Sequence, residues 1–377
     1  MSIQVSYSKQ FLAGIIFIIL ILFSIEGISR VYDIWYPSGC ILVKSEIFQN
    51  LDMNNKRSIC DDFRSLEFGD WPFYQMLPDQ HFQTININSH GFRGPEFSTI
   101  KPENTYRIFV IGGSTTFGTG TTSDSTTISG FLQQKLETEN LPKKIEVINT
   151  GISALYSGTE VGLIKEQILE LDPDLLIIYD GWNDITKHFD HYYDGINSST
   201  NLDNLAVERD TFYEVGEALF DYSTFVKVIY TNLDFLPMQF AGPAVYPFEN
   251  VEIEKKADIW TTRWIEICEL GEREGFDAVI TIHPILGSSD RIMSQFEKKQ
   301  FEWKENERRL PALDIYANKL TELNKHCTKT ADLRNVFDRI NEPLYLDAVH
   351  IGDKGNEIVA EKIFDVVLPT IQKNMSN

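Results

Sequence analysis

"RIFVIGGSTTFGTG", residues 107–120, decides how the rest of this 377-residue chain is read. After Arg107 comes a continuous apolar run of β-branched and aromatic side chains, residues 108–111. Such a run marks a strand buried on both faces, not one with a solvated side. The run stops at Gly112-Gly113 and passes into Ser114, Thr115 and Thr116. A serine placed there has two possible uses. It can cap the next helix, or it can stand exposed at the end of the strand as a nucleophile.

The same texture recurs along the chain. "IEVINTG" (residues 145–151), "PDLLIIYDG" (173–181) and "DAVITIHP" (277–284) read as further buried strands, with a short fifth near 331–336. Helical patterns lie between them. One covers 126–136. A second carries Val161, Ile164, Ile168 and Leu171 behind a capping-box sequence, Ser157-Gly158-Thr159-Glu160. Others cover 257–274 and 311–327. A last helix starts at Asp353, carries Val359, Ile363, Val366 and Val367, and meets Pro369. Strands alternating with helices predict parallel βαβ units with right-handed crossovers, hence an α/β fold with helices on both faces of one sheet. In such open sheets ligands bind outside the carboxyl ends of the strands.

Chemistry-bearing residues stand at those ends. The first strand ends in Gly112-Gly113-Ser114, the second in Asn149-Thr150-Gly151 and the third in Gly181-Trp182-Asn183-Asp184. Asp347-Ala348-Val349-His350 precedes the last helix. Acyl transfer asks for this set. Ser114 is the candidate nucleophile and His350 the base that takes its proton. Asp347 orients the imidazole through its other nitrogen. The N–H groups of Ser114 and Gly151 and the amide of Asn183 are candidate donors for an oxyanion. Trp182 and Tyr156 are candidate pocket-lining residues. His283, after the fourth strand, is a rival base without so near a carboxylate, and His188 and His191 read as surface or lid residues. Asn86, Asn88 and Arg93 either support the site or tie the preceding segment to the sheet. "GGSTTFGTG" has neither the spacing nor the lysine of a phosphate-binding P-loop.

Taken together, the blocks "GGSTTFG", "NTGIS", "GWND" and "DAVH", in this order, resemble the SGNH hydrolases, the superfamily of the GDSL esterases and lipases. The resemblance covers residues 106–377 and implies a flavodoxin-like three-layer α/β/α sandwich around a five-stranded parallel sheet. It also implies Ser114, His350 and Asp347 as catalytic residues, with Gly151 and Asn183 in the oxyanion hole. "NINSHGFRGPEF" (86–97) is similar to a segment of membrane-anchored members. Gly113 departs from the pattern, standing where the family usually has an aspartate that braces the loop. The resemblance implies an ester hydrolase working through an acyl-serine, on esters of surface glycans, lipids or small molecules, with no cofactor or metal. An O-acyltransferase using the same residues on a glycan hydroxyl is the near alternative, and a non-catalytic binding protein the distant one.

The remaining features bound location and partners. A formal charge of −21 argues against nucleic-acid binding, which requires a clustered basic surface. Residues 11–25, "FLAGIIFIILILFSI", carry no charge, with Lys9 before them and Glu26 and Arg30 after. At about 1.5 Å per residue the run covers ~22 Å, and extension past Glu26 approaches a bilayer's ~30 Å. Residues 1–30 therefore read as a transmembrane signal anchor, or as a cleaved signal peptide, with the body outside the cytoplasm. Residues 31–104 read as a stalk and extension, and 105–377 as the catalytic domain. Within it, 187–256 is an aromatic-rich helical insertion (Phe189, Tyr192, Tyr193, Tyr222 and Phe225 among them), either a lid or a satellite core. Cys40, Cys60, Cys268 and Cys327 allow three pairings, with Cys40–Cys60 suggested by proximity. No cysteine or histidine group has zinc spacing. Asn197-Ser198-Ser199 is a glycosylation-acceptor sequence.

Overall fold

Five strands form one parallel sheet: β1 (Thr105–Gly112), β2 (Lys144–Asn149), β3 (Leu175–Asp180), β4 (Asp277–Ile282) and β5 (Lys329–Asp332), in the order β2-β1-β3-β4-β5. All eight residues of β1 are buried, because each face of the sheet carries its own helical layer. Phe109 and Ile111 point into a core shared with the helices Ser157–Leu163, Asn250–Glu274 and Asn306–Leu323. Tyr106, Ile108 and Val110 point the other way, against the helices Ile128–Glu137 and Asp353–Ser376. This is the three-layer sandwich with flavodoxin-like strand order that the sequence implied. In this order β1 lies between β2 and β3, so the crevice where the chain reverses its direction of winding opens between the ends of β1 and β3.

The computed structural model describes residues 6–36, 38, 44–69, 75–186, 222–232, 250–303 and 306–376. The sheet belongs to one compact unit, comprising Ser45–Asn50, Ser58–Thr200 and Tyr246–Asn377. The second unit comprises Met1–Lys44, Leu51–Arg57 and Asn201–Val245. It contains the helix Tyr7–Trp35, which is long and apolar enough to cross a membrane, and the helix Thr224–Asn232. Most of the aromatic insertion, with His188, His191, Phe189, Tyr192, Tyr193 and Asn197, lies outside the described residues.

Local expectations differ from the structure in several places, and the helix expected from 257 begins at Asn250. β5 begins at Lys329, ahead of the apolar residues that marked it, because it is an edge strand paired with β4 alone. The helix Asn306–Leu323 starts before Pro311, and the helix Asp353–Ser376 continues past Pro369. An interior proline costs roughly 3 kcal/mol. Val367 and Ile371 flank Pro369 and are fully buried, and burying each such side chain returns about 1.5–3 kcal/mol. The capping box at Ser157 does not form. Tyr156 is the N-cap, the Ser157 hydroxyl is turned to Asp184, and Glu160 is fully buried with neither carboxyl oxygen hydrogen-bonded. Burial first, then Asp180 and Asp184, push the Glu160 carboxyl well above its ordinary range.

Cys268 and Cys327 form a disulfide that ties the helix Asn250–Glu274 to the turn before β5. Cys60 is also disulfide-bonded; Cys40 lies outside the described residues.

Candidate active site

β1 delivers Ser114 to the crevice. Gly113 is extended and caps the single helical turn Ser114–Phe117. The Ser114 N–H donates to no protein acceptor among the described residues. Three groups fix this turn from below. The Asn149 amide, at the end of β2, donates to the carbonyls of Thr116 and Phe117 at 3.0 and 3.3 Å. Arg93 is buried and donates to the carbonyls of Phe117 and Gly118, at 3.1 and 2.9 Å, and to Asp124 at 2.8 Å. The Thr116 hydroxyl reaches the Tyr179 carbonyl of β3.

His350 arrives from 236 residues downstream of Ser114, with Asp347 three residues before it. His350 Nε2 lies 2.7 Å from Ser114 Oγ, and its Nδ1 lies 2.7 Å from Asp347 Oδ2. Asp347 can only accept, so Nδ1 carries the hydrogen and Nε2 presents its lone pair to the serine hydroxyl. The other carboxylate oxygen accepts from the backbone N–H groups of Val349 and His350, both at 2.9 Å. Burial pushes the Asp347 carboxyl up, but the His350 ring and these hydrogen bonds outweigh it and hold it well below the ordinary range. The loop is held in turn by Asn306, a buried residue whose amide donates to the carbonyls of Leu286 and Ala348 at 2.9 and 3.0 Å.

β3 delivers Asn183. Its Nδ2 donates to the Leu155 carbonyl at 2.6 Å and lies against the backbone of residue 113. A Cβ built on Gly113 would stand 2.4 Å from that nitrogen. Glycine at 113 leaves open the space that the Asn183 amide occupies against this backbone. Gly151 is glycine for another reason. A Cβ there would meet Phe117 N at 2.1 Å and Thr116 C at 2.6 Å, so the constraint is the packing of two backbones. Its N–H donates to Asn149 Oδ1 at 3.0 Å, which leaves it less open to a ligand than the sequence reading assumed.

His283 is not placed as a base. Its Nε2 accepts from the Trp182 N–H at 3.0 Å and its Nδ1 donates to the Pro284 carbonyl at 3.0 Å. Burial, with the neighbouring His350, lowers its pKa to about 4. It is a neutral brace under the turn that carries Asn183. Asp184 accepts from the Ser157 N–H at 3.0 Å and from its hydroxyl. Trp182 is half-buried with the Arg309 guanidinium 4.6 Å above its ring. Tyr156 is buried, its ring facing Arg263. Asn86 and Asn88 close the hairpin that carries Arg93: Asn86 donates to the Gly94 carbonyl, and Asn88 accepts from the His90 and Phe92 N–H groups.

Sequence reasoning gave no role to Asn149 or Asn306. The first sat in plain view in the "NTG" block. The second stands beside no other motif and had no local signal. Among the described residues no group of acidic, cysteine or histidine side chains has the arrangement of a metal site.

No protein-family model matches the chain, and no curated protein matches it. Solved structures of similar fold include an acetyl xylan esterase, AlAXEase, at 14% identity, covering 69% of this chain and 98% of that one with a TM-score of 0.39. Axe2, an acetylxylan esterase from Geobacillus stearothermophilus, is similar at 13% identity, covering 69% and 93% with a TM-score of 0.38. TesA is similar at 12% identity, covering 70% and 98% with a TM-score of 0.39. Likenesses this distant carry no chemistry to the chain. The class stands on the chain's own features: an α/β sandwich of flavodoxin-like strand order with a Ser–His–Asp hydrogen-bond chain at the carboxyl edge of its sheet.

Proposed function

We propose that this protein is a serine-dependent ester hydrolase of the SGNH type, anchored in a membrane by the helix Tyr7–Trp35, with its sheet domain outside the cytoplasm. The observation that carries the chemistry is the unbroken chain Asp347–His350–Ser114, with 2.7 Å at each link. In this reading Ser114 Oγ attacks the ester carbonyl while its proton passes to His350 Nε2. The imidazolium is stabilised by Asp347, and the negative oxygen is stabilised by the Ser114 N–H and Asn183 Nδ2. Gly151 contributes only by sharing the hydrogen that Asn149 accepts. Collapse breaks the ester C–O bond, and the leaving alcohol takes the proton from Nε2. Water, deprotonated by the same nitrogen, then releases the acid from Ser114. Acyl esters of surface glycans, lipids or small molecules are the substrate class, and Trp182 is the pocket residue we carry forward. The localisation is supported by the apolar helix and by a structural disulfide, which persists in an oxidising compartment.

A fluorophosphonate probe with an ester-hydrolysis assay tests this reading. Wild type should label and turn over, and Ser114→Ala should do neither while remaining folded. Equal, weak labelling of both would favour a binding protein. An acyl-enzyme that resists water but is discharged by an added sugar would move the assignment to acyl transfer.

A further inference from the structure

The helix Tyr7–Trp35 has two charges between Lys9 and Asp33, Glu26 and Arg30, and they fall inside its exposed apolar surface. Beyond the charge-free run, Ile28, Val31, Ile34 and Trp35 are each at least 60% exposed, as Phe11 and Phe23 are before Glu26. The lipid-facing surface therefore does not stop at Ile25. It continues past Glu26 to the stacked pair Tyr32 and Tyr36, the residue types that settle at a membrane interface.

A carboxylate within such a surface is costly and needs a named partner. Glu26 has two. Arg30 Nε donates to Oε1 at 2.8 Å. Both carboxylate oxygens also cap the helix Thr224–Asn232. They accept from the Ser223 hydroxyl at 3.0 Å, the Thr224 N–H at 3.0 Å and the Phe225 N–H at 3.1 Å. The requirement is mutual, since a helix that begins at membrane depth must have its first N–H groups satisfied by protein. The short helix carries Phe225, Val226, Val228 and Ile229, and Tyr222 before it is 84% exposed.

We propose that the inserted region returns to the lipid surface here. Residues 222–232 form a second membrane contact, docked through Glu26 onto the anchor in the outer interfacial layer. The partner is a lipid bilayer. The proposal rests on the reading of Tyr7–Trp35 as a spanning helix, and the test separates the two.

The full-length protein is reconstituted in phosphatidylcholine nanodiscs with single cysteines introduced, since no described native cysteine is free. Labelling by a water-soluble maleimide is timed for Tyr222→Cys, Phe225→Cys, Leu20→Cys within the anchor, and Thr262→Cys, an exposed position of the sheet domain. Phe225→Cys should label at least about tenfold more slowly than Thr262→Cys, a modest protection for a group at membrane depth, and Tyr222→Cys should also be slowed. Adding Glu26→Leu should restore fast labelling at 225 while Leu20→Cys stays protected and Thr262→Cys is unchanged. Fast labelling at 222 and 225 with Leu20→Cys protected would overturn the docking and leave the anchor standing. So would protection at 225 that ignores Glu26→Leu. Fast labelling at Leu20→Cys would overturn the anchor itself.

Discussion

Two glycines at the site face different neighbours, and a methyl group distinguishes them. At residue 113 the added carbon meets the free end of the Asn183 side chain, which can swing aside. Gly113→Ala should therefore fold with little change in melting temperature. It should lose about 10²-fold or more in kcat, the usual cost of an oxyanion donor, with KM nearly unchanged. At residue 151 the added carbon meets the backbone of Thr116 and Phe117, which cannot move without shifting Ser114. Gly151→Ala should cost at least the 1–3 kcal/mol typical of overpacking, read by denaturant unfolding. If Gly113→Ala kept full kcat, Asn183 would not be a donor at the reacting centre.

Among the elements, the loop that brings Asp347 and His350 to the serine closes on itself through a single antiparallel bridge, Tyr345 with Ile351, and is otherwise held from outside. Glu297, fully buried, pairs with Arg291 through both oxygens at 3.1 Å and also accepts from the N–H groups of Leu344 and Tyr345 at 2.9 and 3.1 Å. Removing one partner leaves a buried charge unpaired. Glu297→Ala should cost roughly 3–5 kcal/mol in unfolding free energy and lower activity with it. An unchanged midpoint would mean the pair is dispensable. The disulfide spans 59 residues of sequence, and closing a loop of that length is worth roughly 4 kcal/mol in the chain-entropy account. Replacing both Cys268 and Cys327 by alanine should lower the unfolding midpoint accordingly, and reducing buffer, which also opens the Cys60 disulfide, should lower the wild-type midpoint at least as far.

The pH dependence of unfolding belongs to the whole molecule, because it compares the fold with the free chain. His283 is buried, and its pKa falls to about 4 in the fold, against about 6.5 in the unfolded chain. The unfolded chain therefore binds a proton that the fold refuses. The stability this neutral histidine protects is fully present above pH 6.5 and is lost as pH falls toward 4, on the order of 3 kcal/mol in all. Asp347, held below its ordinary range, adds in the same direction only lower: its contribution is present above about pH 4 and is lost beneath it. Denaturant midpoints should fall between pH 6.5 and 4 in the wild type and fall less in His283→Gln. Equal slopes would place the acid sensitivity elsewhere.

Much of this protein was legible before folding was considered. Continuous apolar strands need cover on both faces, so 107–112 and 175–180 announced a parallel sheet, and the four blocks named Ser114, Asn183, Asp347 and His350 in chain order. Properties that depend on neighbours distant in sequence were not legible. The near carboxylate of Asp347 already favoured His350 over His283 in the sequence, and the tertiary structure supplied the geometry: His350 has a lone pair facing Ser114, whereas His283 has both nitrogens consumed by the backbone. The tertiary structure also set the Asn183 amide against the backbone of Gly113, made Asn149, Arg93 and Asn306 the clamps on the two halves of the site, paired Cys268 with Cys327, and set Glu26 at the start of a helix 198 residues away. The physical reason is the same throughout. Periodicity and turn chemistry act within a few residues and are written locally, whereas a hydrogen bond, a close approach or a lost solvent shell exists only once the chain has brought its partners together.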